Sequence, residues 1–299
     1  MRFLVLGTVM IDEAMAVSVF PAPGATIIAG PVQRDLGGKG ANQAIVLERC
    51  GADVRLVAPV GEDADAEWVA GELAAAGLDI ADLVPLDRPT DRSLIFVGPA
   101  GENAIASIVE AAEGVDARLA EESVSGLGPG DLLVMQGNMT LDATRAALTA
   151  ARRRGARTLL NPSPIRDGMA GLVPLADCLV VNEGEAALLS GSDDPASAAR
   201  RLIEAGAGTV VVTLGSRGAL AAQGGDVVAV AAEPVEAVDT TGAGDTFAAV
   251  FAAARYDRGL ALRDSLTAAA RAAAITVSRK GTRAAFPSRD ALARILPPR

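Results

Sequence analysis

Apolar residues along this chain gather in short, nearly unbroken runs, each closed by a turn residue and followed by a stretch of helical character. The runs are FLVLG (3–7), VRLVAPV (54–60), LLVMQG (132–137), RTLLN (157–161), CLVVN (178–182) and VVVTLG (210–215). Continuous rather than alternating hydrophobicity marks strands covered on both faces. Between them lie ANQAIVLERCG (41–51), DAEWVAGELAAAG (65–77), LDATRAALTAARRRG (141–155) and DPASAARRLIEAG (194–206). These read as helices, and three of them stop at Gly after a small or basic residue. Strands alternating with helices predict an α/β fold built on a doubly wound, mostly parallel sheet.

Two regions break the alternation. Residues 14–36 are punctuated by Pro and Gly and have little helical periodicity; residues 91–109 read as a strand, a GPAGEN turn and a second strand. Together they predict a small β-sheet projecting from the main one. In an open α/β sheet ligands bind beyond the carboxyl ends of the strands, so a β-layer there is placed to act as a lid. The chain otherwise reads as a single domain over 1–299, without repeats or low-complexity tails.

Composition narrows the chemistry. The chain is 50% hydrophobic and 21% charged, as a globular protein with a large core should be. A net charge of −10 repels nucleic acid and anionic membranes on average, and neither is an expected partner. There is no histidine, which excludes a Ser-His-Asp triad, a Cys-His dyad and any His-ligated metal. Proton transfer must fall to Asp, Glu, Lys or Tyr. Cys50 and Cys178 lie in apolar segments and read as buried thiols of a reducing compartment. MRFLVLGTVMIDEAM reads as a first strand rather than a signal peptide, and no apolar stretch reaches the ~18 residues of a membrane span. A cytoplasmic location is expected.

Four stretches could carry chemistry. In DTTGAGDTF (239–247), Gly242, Ala243 and Gly244 precede a helix, and their N–H groups can form a nest for a phosphate or a developing anion. Asp245 follows; a helix start favours its charged form, so it reads as a proton acceptor, or else as a plain helix cap. DLGGKGANQA (35–44) fails the Walker pattern, because Gly40 stands where Ser or Thr is required. It reads instead as a polyol site with Lys39 and Asn42 as donors behind Gly37 and Gly38, or as a flexible turn into a helix. In VVNEGEAALL (180–189), Asn182 and Glu185 share the first helical turn; the acid could hold Mg²⁺ through water, or be an ordinary solvated helix start. TLGSRG (213–218) is a strand end with a polar glycine turn that could accept a nucleotide.

Taken in order, GGKGAN, NEGE, TLGSRG and DTTGAGDTF resemble the ribokinase-like sugar kinases, also called the phosphofructokinase B type. The likeness runs from the strand at Phe3 to SRKG (278–281), and FPAPG (20–24) and LIFVGPAGEN (94–103) resemble the family's lid. The resemblance implies ATP-dependent phosphorylation of a sugar or nucleoside hydroxyl. It makes Asp245 the base and Gly242, Ala243 and Gly244 the anion hole. It gives Asn182 and Glu185 to phosphate and Mg²⁺, and the loop with Thr213, Gly215, Ser216 and Gly218 to the nucleotide. Asp12, Gly38, Lys39, Gly40, Asn42 and Asn138 fall at or beside sugar-binding positions. Asp239, Thr241, Thr276, Arg279 and Gly281 match a loop that holds K⁺, mostly through backbone carbonyls, although Ala285 replaces a serine of that loop.

Two departures bear on the acceptor. Met10 stands where ribokinase has Asn, and Asn138 where it has Glu. Met10 implies a less polar substrate edge: a deoxysugar, another ketose or aldose, or a nucleoside base. A nucleoside kinase of the same family is the alternative reading, followed by a non-catalytic sugar-binding regulator. A dinucleotide-dependent oxidoreductase would need a glycine fingerprint after the first strand, which is missing. Apolar lid strands with an exposed edge imply a homodimer paired through the lid.

Overall fold

All six apolar runs become strands of one sheet in the computed structural model, which describes residues 1–99 and 102–298. In chain order the strands are β1 (Arg2–Leu6), β2 (Met10–Ala16), β3 (Gln33–Gly37), β4 (Asp53–Gly61), β5 (Leu83–Leu86), β6 (Arg92–Val97), β7 (Asn103–Ile108), β8 (Leu132–Gln136), β9 (Arg157–Asn161), β10 (Cys178–Asn182), β11 (Thr209–Thr213), β12 (Ala219–Gln223) and β13 (Asp226–Val230). The helices are α1 (Lys39–Arg49), α2 (Ala64–Ala75), α3 (Glu110–Glu113), α4 (Ala117–Ser123), α5 (Leu141–Arg153), α6 (Glu183–Ser190), α7 (Pro195–Glu204), α8 (Ala243–Ala252), α9 (Leu262–Val277) and α10 (Arg289–Ile295). Several start on a side-chain cap: Asp63, Asp116, Thr140, Asp194 and Ser288 each accept the N–H three residues on.

The large sheet has the order β13-β12-β11-β10-β9-β8-β1-β4-β5. From β11 to β5 neighbouring strands pair in parallel; β12 and β13 add an antiparallel edge. Alternating side chains of β1 feed two cores. Phe3 and Val5 pack with Ile45 of α1 and with Phe247 and Phe251 of α8. Leu4 and Leu6 pack on the other face with Leu148 of α5 and Leu202 of α7. The chain builds outward from β1 to β4 and β5, then crosses back to place β8 on the opposite side. The strand order therefore switches between β1 and β8, the point at which an open α/β sheet forms its ligand crevice beyond the strands' carboxyl ends.

The second sheet, β3-β2-β6-β7, takes β3, β6 and β7 from the segments set apart by the sequence, while β2 begins earlier, at Met10, inside the stretch read as the first strand. Its strand β2 leaves β1 after only Gly7, Thr8 and Val9, and β3 returns directly into α1, so the small sheet stands over the crevice mouth. Residues 17–32, between β2 and β3, form no helix or strand, and Ala100 and Gly101 of the β6–β7 turn lie outside the described residues. Arg34 of β3 and Arg92 of β6 both reach Asp65 on α2, and the Arg34 guanidinium lies 4.4 Å from the centre of the Trp68 ring. Asp91 ties the two crossings of the β6–β7 hairpin together by accepting the N–H groups of Ala111 (2.8 Å) and Ala112 (3.2 Å). Cys50 and Cys178 are buried free thiols, and among the described residues no helix is long and apolar enough to cross a membrane.

Candidate active site

The mouth of α8 is shaped by Gly242, which takes φ 72° and lies against the Phe286 ring. A β-carbon there would sit 2.7 Å from that ring, and the left-handed backbone would itself be strained. Among the described residues the N–H groups of Gly242, Gly244 and Asp245 meet no protein acceptor; that of Ala243 turns back to the Thr240 carbonyl at 3.3 Å. Space beside Gly244 is open, with nothing within 4 Å of where a β-carbon would lie. Bare N–H groups on an unobstructed helix start form a cradle for an anion.

Just outside the cradle, Asp239 accepts the N–H groups of Thr241 (2.9 Å) and Gly281 (3.0 Å). Burial alone would raise its carboxyl; those bonds and nearby Lys280 outweigh it and hold the group below the usual carboxylate range. The loop after α9 is thus stitched to the turn before α8. Thr276 bonds its hydroxyl to that of Thr246 inside the protein, 2.9 Å away, so its carbonyl is what remains to face an ion, and that carbonyl also accepts the Arg279 N–H.

Asp245 is 4% exposed and accepts two side-chain donors from the first turn of α1: Asn42 Nδ2 at 2.9 Å and Gln43 Nε2 at 3.0 Å. Gln43 is fixed in turn. Its Oε1 accepts Gln136 Nε2 (2.9 Å), its Nε2 also reaches Asn161 Oδ1 (3.3 Å), and Asn161 Nδ2 donates to the Val180 carbonyl (2.8 Å). These amide orientations are mutually consistent, and together they leave Asp245 only donors to receive. Sequence reasoning missed Gln43, Gln136 and Asn161. The available signal was an amide closing an otherwise apolar run, in LLVMQ and RTLLN, and a second amide beside Asn42 in ANQA.

Asp12 projects from β2, directly opposite Asp35 of β3, with its carboxylate packed over the α-carbon of Gly37, where any side chain would collide. Burial, then the charge of Asp35, pushes its carboxyl up to about 6; the Ser93 hydroxyl offsets part of this and the charge of Asp245 adds to it. Gly38 and Gly40 press α1 against the Thr8 backbone, and Ala41 N–H donates to the Thr8 carbonyl at 3.0 Å. Half-buried Lys39 has no partner among the described residues. Four acceptors near the crevice are buried yet unpaired among the described residues: Thr8 Oγ1, Asn42 Oδ1, Gln136 Oε1 and Asn138 Oδ1. Buried polar atoms are nearly always satisfied, so this set calls for a ligand rich in hydroxyl donors. Met10 is 7% exposed, and its Sδ lies 3.2 Å from the Ser93 Oγ, which is also 2.8 Å from Ser107 Oγ.

The remaining predicted residues meet two strands away. Asn182 ends β10 directly beside Thr213, which ends β11. Asn182 Oδ1 accepts Glu185 N–H (2.8 Å) and Glu185 Oε2 accepts Asn182 N–H (2.9 Å), a reciprocal cap on α6. Among the described residues this leaves Asn182 Nδ2 and Glu185 Oε1 without protein partners. Gly215–Arg217 form one exposed 3₁₀ turn, Ser216 included, closed by Gly218 and braced by the Arg217–Glu183 ion pair.

An anion cradle, a buried carboxylate beside it and hydroxyl-hungry acceptors across a crevice are the parts of a phosphotransferase. The pfkB family carbohydrate kinase model matches residues 2–289. This chain belongs to the pfkB carbohydrate kinase family. It is 35% identical to the ribokinase of Schizosaccharomyces pombe, over 96% of this chain and 95% of that one. It is 30% identical to the deoxyribokinase of Salmonella typhimurium, over 96% of each. The solved structure of Arabidopsis thaliana ribokinase complexed with ribose and ATP superposes with a TM-score of 0.85, at 26% identity, over 99% of this chain and 98% of that chain. Membership in the pfkB family makes the protein a carbohydrate kinase, and the nine-stranded sheet with its small second sheet is the ribokinase-like fold.

Proposed function

We propose that this kinase transfers the γ-phosphoryl group of ATP to a hydroxymethyl group of a pentose or related sugar, with Asp245 as base. The observation that carries the reading is the position of Asp245: buried, fed by two amide donors, and one and three residues from the bare N–H groups of Gly244 and Gly242. A phosphoryl group in the cradle and a hydroxyl on Asp245 are thereby brought side by side. The hydroxyl proton passes to Asp245, the oxygen bonds the γ-phosphorus, the bond to the β-bridging oxygen breaks, and ADP leaves. Such a transfer needs little beyond positioning and charge stabilisation, which backbone N–H groups supply at fixed geometry. Asp12, Lys39, Asn42 and Asn138 orient the sugar, and closure of the small sheet over the crevice excludes water.

The loop from Thr213 to Gly218 and the neighbouring Asn182 suit the nucleotide. Glu185, with one carboxylate oxygen free, suits Mg²⁺ held through water, the usual mode for a nucleotide-bound ion. Asp239, kept ionised, with carbonyls from Thr241, Thr276, Arg279 and Gly281, suits K⁺ beneath the cradle. The edge strand β7 is exposed along its whole length, Ile105 at 59%, which supports pairing of two copies through the small sheet. Two buried free thiols fit a cytoplasmic setting.

Among pentoses, a deoxypentose fits best. The Met10 corner is apolar and offers only a thioether, a weak acceptor, so a sugar hydroxyl placed there would lose its partner. The likeness to a deoxyribokinase is consistent with that corner. ADP release should be followed against ribose, 2-deoxyribose, other pentoses, hexoses and nucleosides. The expected result is turnover highest with 2-deoxyribose and far lower with nucleosides. Preference for a nucleoside would replace this reading with the nucleoside-kinase one, and sugar-induced stabilisation without ADP formation would replace it with a regulator.

A further inference from the structure

Helix α1 touches the reaction centre twice. Its first turn supplies Asn42 and Gln43 to Asp245. Its last residue, Arg49, reaches the loop that follows α9. Arg49 Nη1 is shared among the carbonyls of Phe286 (3.1 Å), Pro287 (3.4 Å) and Arg283 (3.5 Å), and the guanidinium lies 6.0 Å from the centre of the Phe286 ring. Phe286 is 2% exposed and is the surface on which Gly242 rests. The same loop includes Gly281, whose N–H is held by Asp239. Arg49 is therefore one packing step from the cradle, although its place in the sequence is far from every cradle residue.

We infer that Arg49 is a positioning residue for phosphoryl transfer, resting on the kinase reading above: it locks residues 283–287 so that Phe286 sets the left-handed turn at Gly242. One rigid helix then registers both halves of the centre, the carboxylate through its first turn and the cradle through its last. A planar guanidinium suits this task. Its Nη1 meets the carbonyls while its plane lies over the ring; an ammonium has three donors but no plane to lay there. Methionine at this position would keep the stem and remove every donor.

The test compares wild type with Arg49→Met, Arg49→Lys and Arg258→Met. Arg258 serves as control because it donates to the carbonyls of Cys50 and Pro297 at the same end of α1 but not to the 283–287 loop. For Arg49→Met, kcat should fall by about 10²-fold, the scale set by a displacement of about 1 Å, with the sugar KM nearly unchanged. Arg49→Lys should recover part of the loss. Arg258→Met should lower the melting temperature and leave kcat alone. Wild-type kcat in folded Arg49→Met, or sugar KM rising in step with the fall in kcat, would overturn the inference. If Arg49→Met does not fold, Arg49→Lys carries the same comparison. A crystal structure of whichever variant folds should show Phe286 withdrawn from Gly242. An unmoved loop overturns the inference even if wild type phosphorylates none of the acceptors, an outcome that would instead sink the kinase reading.

Discussion

On the reading proposed above, the sugar side and the nucleotide side of the crevice are built on opposite principles. The sugar side is made of side chains, many of them buried, with hydrogen-bonding capacity left open: Thr8, Asn42, Gln136 and Asn138 each hold an unpaired acceptor. The nucleotide side is made of backbone and helix ends. Its cradle is bare N–H groups, Asn182 and Ser216 are exposed, and Asn182 and Glu185 satisfy each other. The difference separates selectivity from generic binding. A site of buried, unpaired acceptors discriminates strongly, because a ligand lacking the matching hydroxyl leaves a polar group stranded. A cradle of N–H groups reads the charge and shape of any phosphate. Asp245 stands on the border, held from the sugar side and adjoining the cradle.

The most severe way to break that border is Asp245→Asn. Both incoming groups are N–H donors, so an amide nitrogen in place of one carboxylate oxygen would face a donor. Asn42 can flip to relieve the conflict; Gln43, pinned by Gln136 and Asn161, cannot. The fold and most of the sugar site should persist while the proton acceptor is lost. We expect kcat to fall by roughly 10³–10⁴-fold, at the upper end for general-base loss, with far less change in sugar affinity by calorimetry. Near-normal turnover would remove Asp245 as base.

Met10→Asn tests the sugar side alone. It adds a donor and an acceptor at the apolar corner and frees Ser93 from the sulfur. The ratio of kcat/KM for ribose to that for 2-deoxyribose should rise by about 10- to 100-fold, the worth of one or two well-placed hydrogen bonds. The ATP KM should not move, since Met10 lies on β2 and the nucleotide loops lie beyond β10 and β11. An unchanged ratio would mean that the acceptor does not reach this corner.

How far the sequence foretold these two sides follows from how each is built. The six inner parallel strands were readable because burial on both faces leaves continuous apolar runs, as in CLVVN and VVVTL. Strands β5, β12 and β13 were not, because LVPL contains a proline, ALAAQ is mostly alanine and DVVAV lies at an edge. The cradle was readable because backbone chemistry needs glycines next to a helix, and Gly242 and Gly244 are contiguous with Asp245. The amide chain behind Asp245 was hidden, because Gln43, Gln136 and Asn161 meet only when three separate segments converge. Nor could Asp12 be set against Asp35, since that pairing is a matter of register across a long irregular connection.

That register has a consequence in pH. Asp12 titrates near 6 because it is buried and because Asp35 lies directly opposite. As an ionised acceptor it can take two sugar hydroxyls; once protonated it presents one oxygen as a donor. As pH falls below about 6, kcat/KM for the sugar should drop about tenfold per pH unit, with kcat at saturating sugar falling less. Stability should run the other way. The folded state holds this proton more tightly than the unfolded chain does, so the contribution of Asp12 to stability is greatest in acid. It declines as pH rises from the usual carboxylate range to about 6. The free enzyme should thus gain activity over the same interval in which it loses some stability, and bound sugar should cancel that loss. Asp35→Asn isolates the second of these causes without touching the sugar contact. Removing the opposing charge should move the kcat/KM midpoint down by part of the shift, burial holding the rest. A midpoint that stays near 6 in Asp35→Asn and in Asp12→Asn alike would assign the titration to another group.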